Sequence, residues 1–418
     1  MKHAKKVVAF LLALILASAL TACKSEPKST HLDWIFTPSP PYTGALTEEG
    51  YYYYSDAILH YTDIATGASV VLCQKPGCKH VPLTLDMEEA GIEPCDAELD
   101  LSAQQMLFEN DRLYYTDNQN LLWSRDATGG ELRKLGTLAK ELVEDRKSAD
   151  VRISAICNGY LYYFADISEI KTSGDGLSGS SGTQTGYCIG RFNLTQRKDE
   201  ILVYQQISNY NENIELVAAR ETGVLYLYFE GLDPKQDWED MAKRWEAMKT
   251  MPVQIRHLDL TTGETAVLLS TVYEQTRSVI TVENGAMLYQ KSIEGTYEMH
   301  NYNLTTGKDT VVHKGDTPYG YYGKGYCLQT KWLDAKTAEY RFINMNTGKA
   351  LPFELSGHFA TISRSAHGMV MYYNNHGTLD GNYFLSYDSL ADGLQEADLK
   401  LLYNVASIDQ TTGGMTDG

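Results

Sequence analysis

The sequence is poor in basic residues and has only one long apolar run. Its 418 residues contain 36 Lys and Arg against 54 Asp and Glu, which gives a formal net charge of −18. Such an acidic chain is a poor partner for nucleic acid and for anionic lipid headgroups, because both attract basic surfaces. No second apolar run is long enough to span a membrane. We therefore exclude nucleic-acid binding from the functions to be considered.

The sequence also lacks the short motifs of common hydrolases and nucleotide-binding enzymes. It contains no H-E-x-x-H, no G-x-S-x-G and no P-loop. Acidic residues are numerous enough to supply the carboxylate pair of a glycosidase, but no particular pair stands out. An enzyme is therefore the less favoured class.

The apolar run lies at the N-terminus, where three lysines precede residues 7–20. A helix of this length is only about 21 Å long, too short to cross a hydrocarbon core of about 30 Å comfortably. A basic start, a short apolar core and a small-residue ending are typical of a secretion signal. The run ends in Leu20-Thr21-Ala22-Cys23.

This ending resembles the lipobox of bacterial lipoproteins, in which the cysteine is lipidated and becomes the mature N-terminus. The resemblance implies that residues 1–22 are a signal peptide, that Cys23 carries a diacylglyceryl group, and that residues 23–33 are a tether. Two acyl chains anchor a protein stably, whereas one chain binds only marginally. We therefore expect a lipid-anchored protein on the extracytoplasmic face of the cell membrane, with residues 34–418 forming a single domain.

A unit of four short strands recurs along the chain. One copy divides into the predicted strands 278–283, 286–292, 297–304 and 309–313, in which apolar residues occur at every second position. Two turn signals each occur seven times in register. The first precedes an aromatic strand, as in EEGYYYY and ENGAMLY, and the second closes a hairpin, as in DLTTG and NLTTG. In the second signal, Asp or Asn can bond the backbone two residues on, and Gly accepts a positive φ.

Units of about 40 residues with four strands predict a β-propeller, because one blade cannot bury both of its faces alone. We predict an all-β fold of seven blades with four antiparallel strands each, with six or eight blades as alternatives. The tyrosines concentrated in the second strands are expected to pack between blades rather than to form a platform on which sugars stack.

The first half of the propeller carries insertions that share one face. They fall either between the second and third strands of a blade or between blades, at residues 72–95, 139–150, 167–186 and 233–252. We call the face formed by these connections the insertion face, and the opposite face, formed by the other two turns of each blade, the turn face. The Gly/Ser-rich insertion 167–186 is expected to be flexible, and 233–252 is expected to form a short helix in blade four.

The helical insertion places Trp238, Met241, Trp245 and Met248 at spacings of three, four and three, which predicts a single stripe. The stripe either packs on its own blade or docks a partner, since exposed Trp and Met are enriched at interaction surfaces. The sequence does not separate these two interpretations.

Four residues of the insertion between blades one and two form a candidate metal site. Cys73, Cys78, His80 and Cys95 have the spacing C-x4-C-x-H-x14-C, and three thiolates with an imidazole form a complete tetrahedral set for a structural zinc ion. A disulfide with one leftover thiol, and no special chemistry, remain alternatives. The remaining cysteines, Cys157, Cys188 and Cys327, are predicted to be core residues.

Taken together, the lipobox, the segment LCQKPGCKH, the later Cys95 and the tyrosine-rich repeats resemble uncharacterised propeller-like lipoproteins of bacterial cell surfaces. This resemblance implies no established activity. The sequence favours a monomeric, membrane-anchored propeller that binds a protein or a glycan through the insertion face. The alternatives are a polysaccharide lyase or hydrolase with carboxylates near the central channel, and a structural subunit of an envelope complex.

Overall fold

Seven antiparallel sheets, arranged in a ring, make up the computed structural model. It describes residues 34–37, 44–55, 57–99, 105–143, 147–171, 181–276, 278–333, 338–345, 347–351, 358–365, 367–374, 380–393 and 396–404. Each blade has four consecutive strands, one of the seven sheets gains a fifth, non-consecutive strand, and the prediction of a seven-bladed β-propeller is confirmed. The lipobox and Cys23 lie outside the described residues. Within the described part of the chain, no helix has the length and apolar character needed to cross a membrane.

The strands follow the chain from blade to blade. A short strand, β1 (Ile35–Phe36), precedes the blades. Blade one contains β2 (Ala45–Leu46), β3 (Gly50–Ser55), β4 (Ile58–Asp63) and β5 (Ser69–Val71). Blade two contains β6 (Met106–Glu109), β7 (Arg112–Thr116), β8 (Leu121–Asp126) and β9 (Arg133–Thr137). Blade three contains β10 (Lys147–Cys157), β11 (Tyr160–Lys171), β12 (Ser181–Asn193) and β13 (Lys198–Gln206). Blade four contains β14 (Asn213–Arg220), β15 (Gly223–Phe229), β16 (Pro252–Asp259) and β17 (Thr265–Val272).

The last three blades and the helices complete the fold. Blade five contains β18 (Val279–Glu283), β19 (Ala286–Ile293), β20 (Thr296–Asn303) and β21 (Asp309–Gly315). Blade six contains β22 (Tyr319–Gly323), β23 (Tyr326–Trp332), β24 (Ala338–Asn344) and β25 (Lys349–Ala350). Blade seven contains β26 (His358–Arg364), β27 (Gly368–Asn374), β28 (Asp380–Ser386) and β29 (Leu399–Asn404). Within the described residues, two α-helices, α1 (Leu85–Glu89) and α2 (Met241–Lys249), and three 3-10 turns, Lys140–Leu142, Tyr387–Asp392 and Glu396–Asp398, lie between strands.

The hairpin turns form as the repeated signal predicts. In blade five, the Asn303 side-chain oxygen accepts hydrogen bonds from the backbone N–H groups of Thr305 and Thr306, at 3.0 and 2.8 Å. Gly307 then adopts φ +68° and donates its N–H to the Asn303 carbonyl at 2.9 Å. Because these bonds are local, the turn places the two outer strands of the blade in register without help from the rest of the fold.

Buried aromatic residues of the second strands pack between blades. Tyr51, Tyr162, Tyr289 and Tyr373 are fully buried on β3, β11, β19 and β27. The three core cysteines predicted from sequence, Cys157, Cys188 and Cys327, are also buried. The ring closes where Tyr51 and other side chains of blade one pack against blade seven. All four strands of blade one come from the N-terminal part of the chain and all four strands of blade seven from the C-terminal part, so neither blade combines strands from both ends.

The short strand β1 occupies the central channel. It pairs antiparallel with β14, the innermost strand of blade four, through Ile35 opposite Ala219 and Phe36 opposite Ala218. It also contacts β10 and β18, the innermost strands of blades three and five. The Arg364 guanidinium of blade seven lies 4.5 Å from the centre of the Phe36 ring. The first described residues therefore fill the channel and connect four blades.

The insertions differ in part from the expectation. A short helix in blade four is confirmed as α2. The stem of insertion 167–186 is not a flexible loop, because β11 and β12 continue to Lys171 and Ser181 and remain paired across that stem. The extended part of β11 also pairs with β10, the innermost strand of the blade, where Lys147 lies opposite Glu169. Cross-strand backbone pairing thus outweighs the Gly/Ser composition there; residues 172–180 lie outside the described residues.

Candidate metal centre

The loop of residues 72–99 connects β5 of blade one with β6 of blade two on the insertion face. Its last residues are fixed against the β3–β4 turn, since the Leu59 N–H donates to the Ala97 carbonyl at 2.8 Å and the Leu99 N–H donates to the Ala57 carbonyl at 3.0 Å. Two of these last loop residues, Ala97 and Leu99, are buried. The loop therefore begins and ends at firmly placed residues, with a long irregular path between them.

The four predicted ligands come together in this loop. The donor atoms of Cys73, Cys78, His80 and Cys95 all lie within 4.8 Å of one another. Four donors at 2.0–2.3 Å from one tetrahedral zinc ion lie about 3.4–3.8 Å apart. Donor-to-donor distances would therefore shorten by about 1.4 Å at most to reach the geometry of a bound ion.

Local backbone geometry produces this convergence. Cys73 lies two residues after the end of β5. A turn over Lys75, Pro76 and Gly77 then reverses the chain, with the Cys78 N–H donating to the Lys75 carbonyl at 3.3 Å. Gly77 has φ +74°, a conformation that glycine adopts without strain. Three residues later, His80 also has a positive φ, +56°, which is uncommon for a residue with a side chain.

Contacts within the cluster join both ends of the loop. The Cys95 Sγ lies 3.9 Å from the His80 Nδ1, and the His80 backbone N–H donates to the Cys78 Sγ at 3.4 Å. Cys95 is buried, Cys73 and Cys78 are half-buried, and His80 is exposed. An ion would therefore be covered by protein on the thiol side and approached from the imidazole side.

The surroundings shift the pKa values of two of the thiols, Cys73 and Cys95, in opposite directions. Burial raises the pKa of Cys73, but hydrogen bonds from the backbone N–H groups of Lys75 and Asp96 and from the neighbouring thiols outweigh it and lower this pKa to about 7. Burial, and then the neighbouring thiols, raise the pKa of Cys95 to about 12, against the opposing effect of a hydrogen bond from the Ala97 backbone N–H. Zinc binds thiolates, so it would have to displace a proton from Cys95 at neutral pH.

The six cysteines in the described part of the chain are all free thiols. Three of them belong to the cluster, so one disulfide there would leave a third thiol unpaired. A single metal ion, in contrast, can use all three thiols and the imidazole. The donor set thus fits zinc better than it fits a disulfide.

A concave apolar surface lies beside the cluster. No sequence period reveals it, because the loop is irregular. The cavity has a volume of about 350 Å³, and its walls include Val81, Met87 and Ile92 together with Lys75 and Lys79. The Lys75 ammonium pairs with the Glu93 carboxylate at 2.5 Å. The loop also contacts blade two, because the Gln74 side-chain amide donates to the Thr128 hydroxyl at 2.7 Å.

The four residues of the predicted helical stripe are divided between two environments. Trp238 and Met248 pack against the core of blades four and five, whereas Met241 is 65% exposed and Trp245 is 45% exposed. The prediction of one helical stripe is wrong for Trp238, which precedes α2. The reason is the Asp240 side chain, which accepts two backbone N–H bonds as an N-cap and starts the helix after Trp238.

The carboxylates with raised pKa values do not gather in the central channel. Asp166 lies on β11, Asp199 on β13 and Glu283 on β18, and burial is the main cause of the shift in each. Asp166 pairs with Arg152, and Asp199 accepts a hydrogen bond from the Tyr163 hydroxyl at 2.8 Å. Within the described residues, these groups are structural partners on separate strands rather than a pair facing one substrate.

Comparisons with known proteins support the propeller fold and identify no family or activity. No protein family profile matches the sequence, and no curated protein matches it. An oligogalacturonate lyase from Vibrio parahaemolyticus has a TM-score of 0.51 at 9% identity, with 82% of this chain and 88% of that chain covered. A puromycin-hydrolyzing peptidase from Mycobacterium tuberculosis also has a TM-score of 0.51 at 9% identity, with 87% of this chain covered.

This chain spans about half of the peptidase, 54% of its length. At such low identity the likeness extends to the propeller fold alone. The fold and the site together define a seven-bladed propeller with a three-cysteine, one-histidine cluster in the connection between its first two blades.

Proposed function

We propose that this protein is a lipid-anchored binding propeller of the cell surface, and that a structural zinc ion shapes the loop with which it binds a partner. The observation that carries this proposal is the convergence of Cys73, Cys78, His80 and Cys95 in one loop of the insertion face. Four protein ligands leave no open position for a substrate, which is the arrangement of structural rather than catalytic zinc sites.

The loop has little else to order it. Its helix α1 is only five residues long and buries no side chain. Structural zinc contributes about 10–16 kcal/mol of apparent binding free energy in zinc-finger peptides, and that energy appears as folding free energy. A bound ion would therefore fix the loop and with it the cavity formed by Val81, Met87 and Ile92.

The chemistry of this cavity favours a protein partner over a glycan. Residues 72–99 contain no Trp, Tyr or Phe, so they offer no aromatic ring on which a sugar could stack. They do present apolar side chains to solvent, since Val81 and Ile92 are each 44% exposed. Apolar surface rimmed by polar groups is typical of protein interaction sites.

Site-specific crosslinking in cells tests this role. With a photoreactive residue in place of Val81, we expect a covalent adduct with one partner protein, and we expect Cys78→Ser to remove that adduct because the loop loses its zinc. A photoreactive residue at exposed Thr261, on the turn face, serves as the matched control. Equal adducts at both positions, or an adduct at Val81 that survives Cys78→Ser, would contradict the proposal.

The direction of β1 supports a particular orientation on the membrane. Trp34 lies beside the end of β14, where Arg220 begins the β14–β15 turn, so the first described residue is on the turn face. Only eleven residue steps separate Cys23 from Trp34, a reach of about 40 Å at full extension. A lipid on Cys23 would therefore keep the turn face towards the bilayer and the insertion face away from it.

Anchoring through Cys23 predicts a simple change of location. Wild-type protein should be recovered in the membrane fraction with a diacylated N-terminal peptide, and Cys23→Ser should lose this modification because serine offers no thiol. Ser25→Ala, two residues away, should leave the lipid in place. Mass spectrometry of the N-terminal peptide measures the outcome, and an unmodified Cys23 in the wild type would refute the anchor.

A further inference from the structure

A second cavity lies on the turn face, between blades four and five and far along the chain from the cysteine loop. Its volume is about 410 Å³. Its walls are formed by Arg220 at the end of β14, His257 of β16, the β20–β21 turn at Leu304 and Thr305, and Trp34 from the channel segment. Pockets for small molecules commonly have volumes of about 300–1,000 Å³.

Arg220 brings a positive charge to this cavity without a protein counter-ion. Its guanidinium lies 4.4 Å from the centre of the Trp34 ring and is held there by stacking. Its Nε is buried and has no hydrogen-bond partner, and no carboxylate pairs with the guanidinium in the part of the chain that the structure describes. Arg152 and Arg191 of blade three, by comparison, pair with Asp166 and Glu200.

His257 adds a neutral polar group to the same wall. Its ring meets the Trp34 ring edge-on, with the centres 5.4 Å apart. Burial, and then the nearby Arg220 charge, lower the pKa of His257, while Asp259 opposes the shift. The imidazole is therefore uncharged at pH 7, so it neither attracts nor repels a charged ligand electrostatically.

We infer that this cavity binds a small organic carboxylate. The planar guanidinium of Arg220 matches the two oxygens of a carboxylate, which is the pairing that arginine favours in proteins. Leu225, Leu268 and Leu304 supply the apolar part of the walls, so they fit the hydrocarbon or ring portion of the ligand. The free anion would supply the partner that Arg220 lacks within the chain.

The place of the cavity limits the size of the ligand. Trp34 belongs to the segment that leads to the proposed tether, and an anchored protein would hold this face towards the bilayer. A small molecule can diffuse into that space, whereas a macromolecule would be obstructed. The binding itself does not depend on the zinc site or on lipidation, and it can be measured with the purified protein.

Photoaffinity labelling with a diazirine-bearing benzoate tests the inference directly. We expect light-dependent labelling of peptides that contain Trp34, His257 or Leu304, suppressed by excess benzoate and much less by benzyl alcohol, which has the same ring without the charge. Arg220→Gln should weaken labelling about tenfold or more, because a charge-assisted pair is lost. Arg341→Gln is the matched control, since Arg341 is exposed on blade six and loses the same charge.

The competition between benzoate and benzyl alcohol uses wild-type protein and remains decisive if Arg220→Gln does not fold. Equal suppression by the two competitors would overturn the inference, as would labelling confined to other peptides. Undiminished labelling of a folded Arg220→Gln variant would also overturn it. Suppression by inorganic phosphate as strong as that by benzoate would show a general anion site and contradict the role of the apolar walls.

Discussion

Replacing Cys95 by serine is expected to remove the bound zinc and to release the loop of residues 72–99. Cys95 is the one buried ligand, and it joins the end of the loop to Cys73 and Cys78 at its beginning. Serine has nearly the same size but is a poor zinc ligand, so the change removes the bond and leaves the packing. Because the loop has little core of its own, we expect zinc content to fall from about one ion per chain to about none.

Limited proteolysis and elemental analysis measure this effect. Lys79 is a trypsin site within the loop, whereas the bond after Lys75 resists trypsin because Pro76 follows it. Cleavage after Lys79 should accelerate at least about a hundredfold, as the loss of a few kcal/mol of local stability implies. Cys188→Ala is the matched control, since it also removes a buried thiol but lies in blade three. A Cys95→Ser protein with its zinc and its protease resistance unchanged would show that the cluster is not a metal centre.

Truncation of Trp34 is expected to give the largest loss of global stability. Trp34 is only 8% exposed, and it packs with Leu225, Met287 and other residues of blades four and five. A buried tryptophan cut back to alanine typically costs about 3–5 kcal/mol. Because β1 also contacts blades three and seven through Ile35 and Phe36, part of this loss should appear as weaker closure of the ring.

Urea unfolding of purified protein tests the role of Trp34. Trp34→Ala should lower the free energy of unfolding by about 3–5 kcal/mol, while Trp245→Ala, at a tryptophan that is 45% exposed on α2, should change it by no more than about 0.5 kcal/mol. Similar losses for both variants would mean that the channel strand contributes no more than a surface helix.

The blades could be predicted from sequence because their signals are local. The strands of blade five were placed within about two residues, since alternation and the turn at Asn303 and Gly307 depend only on neighbouring residues. The channel strand β1 was missed for the opposite reason. It is two residues long and pairs with Ala218 and Ala219, far away in the chain, so no local period reveals it.

The two candidate sites differ in the same way. The convergence of the cysteine–histidine cluster could be predicted because Cys73, Cys78 and His80 lie close together in the chain and their side chains have few other roles in a loop. The carboxylate cavity could not, because its signal is the lack of a partner for Arg220. Whether an arginine is paired depends on which strands become neighbours, and that is visible only in the folded molecule.

Metal analysis of protein purified without chelator shows whether Cys73, Cys78, His80 and Cys95 hold one metal ion, as we propose. We expect about one zinc per chain, with X-ray absorption giving three sulfur atoms at about 2.3 Å and one nitrogen at about 2.0 Å. We also expect zinc affinity to fall as the pH is lowered, since protons compete for the thiolates, most of all at Cys95. Protein without bound metal and with two fewer free thiols would instead show a disulfide and contradict the account.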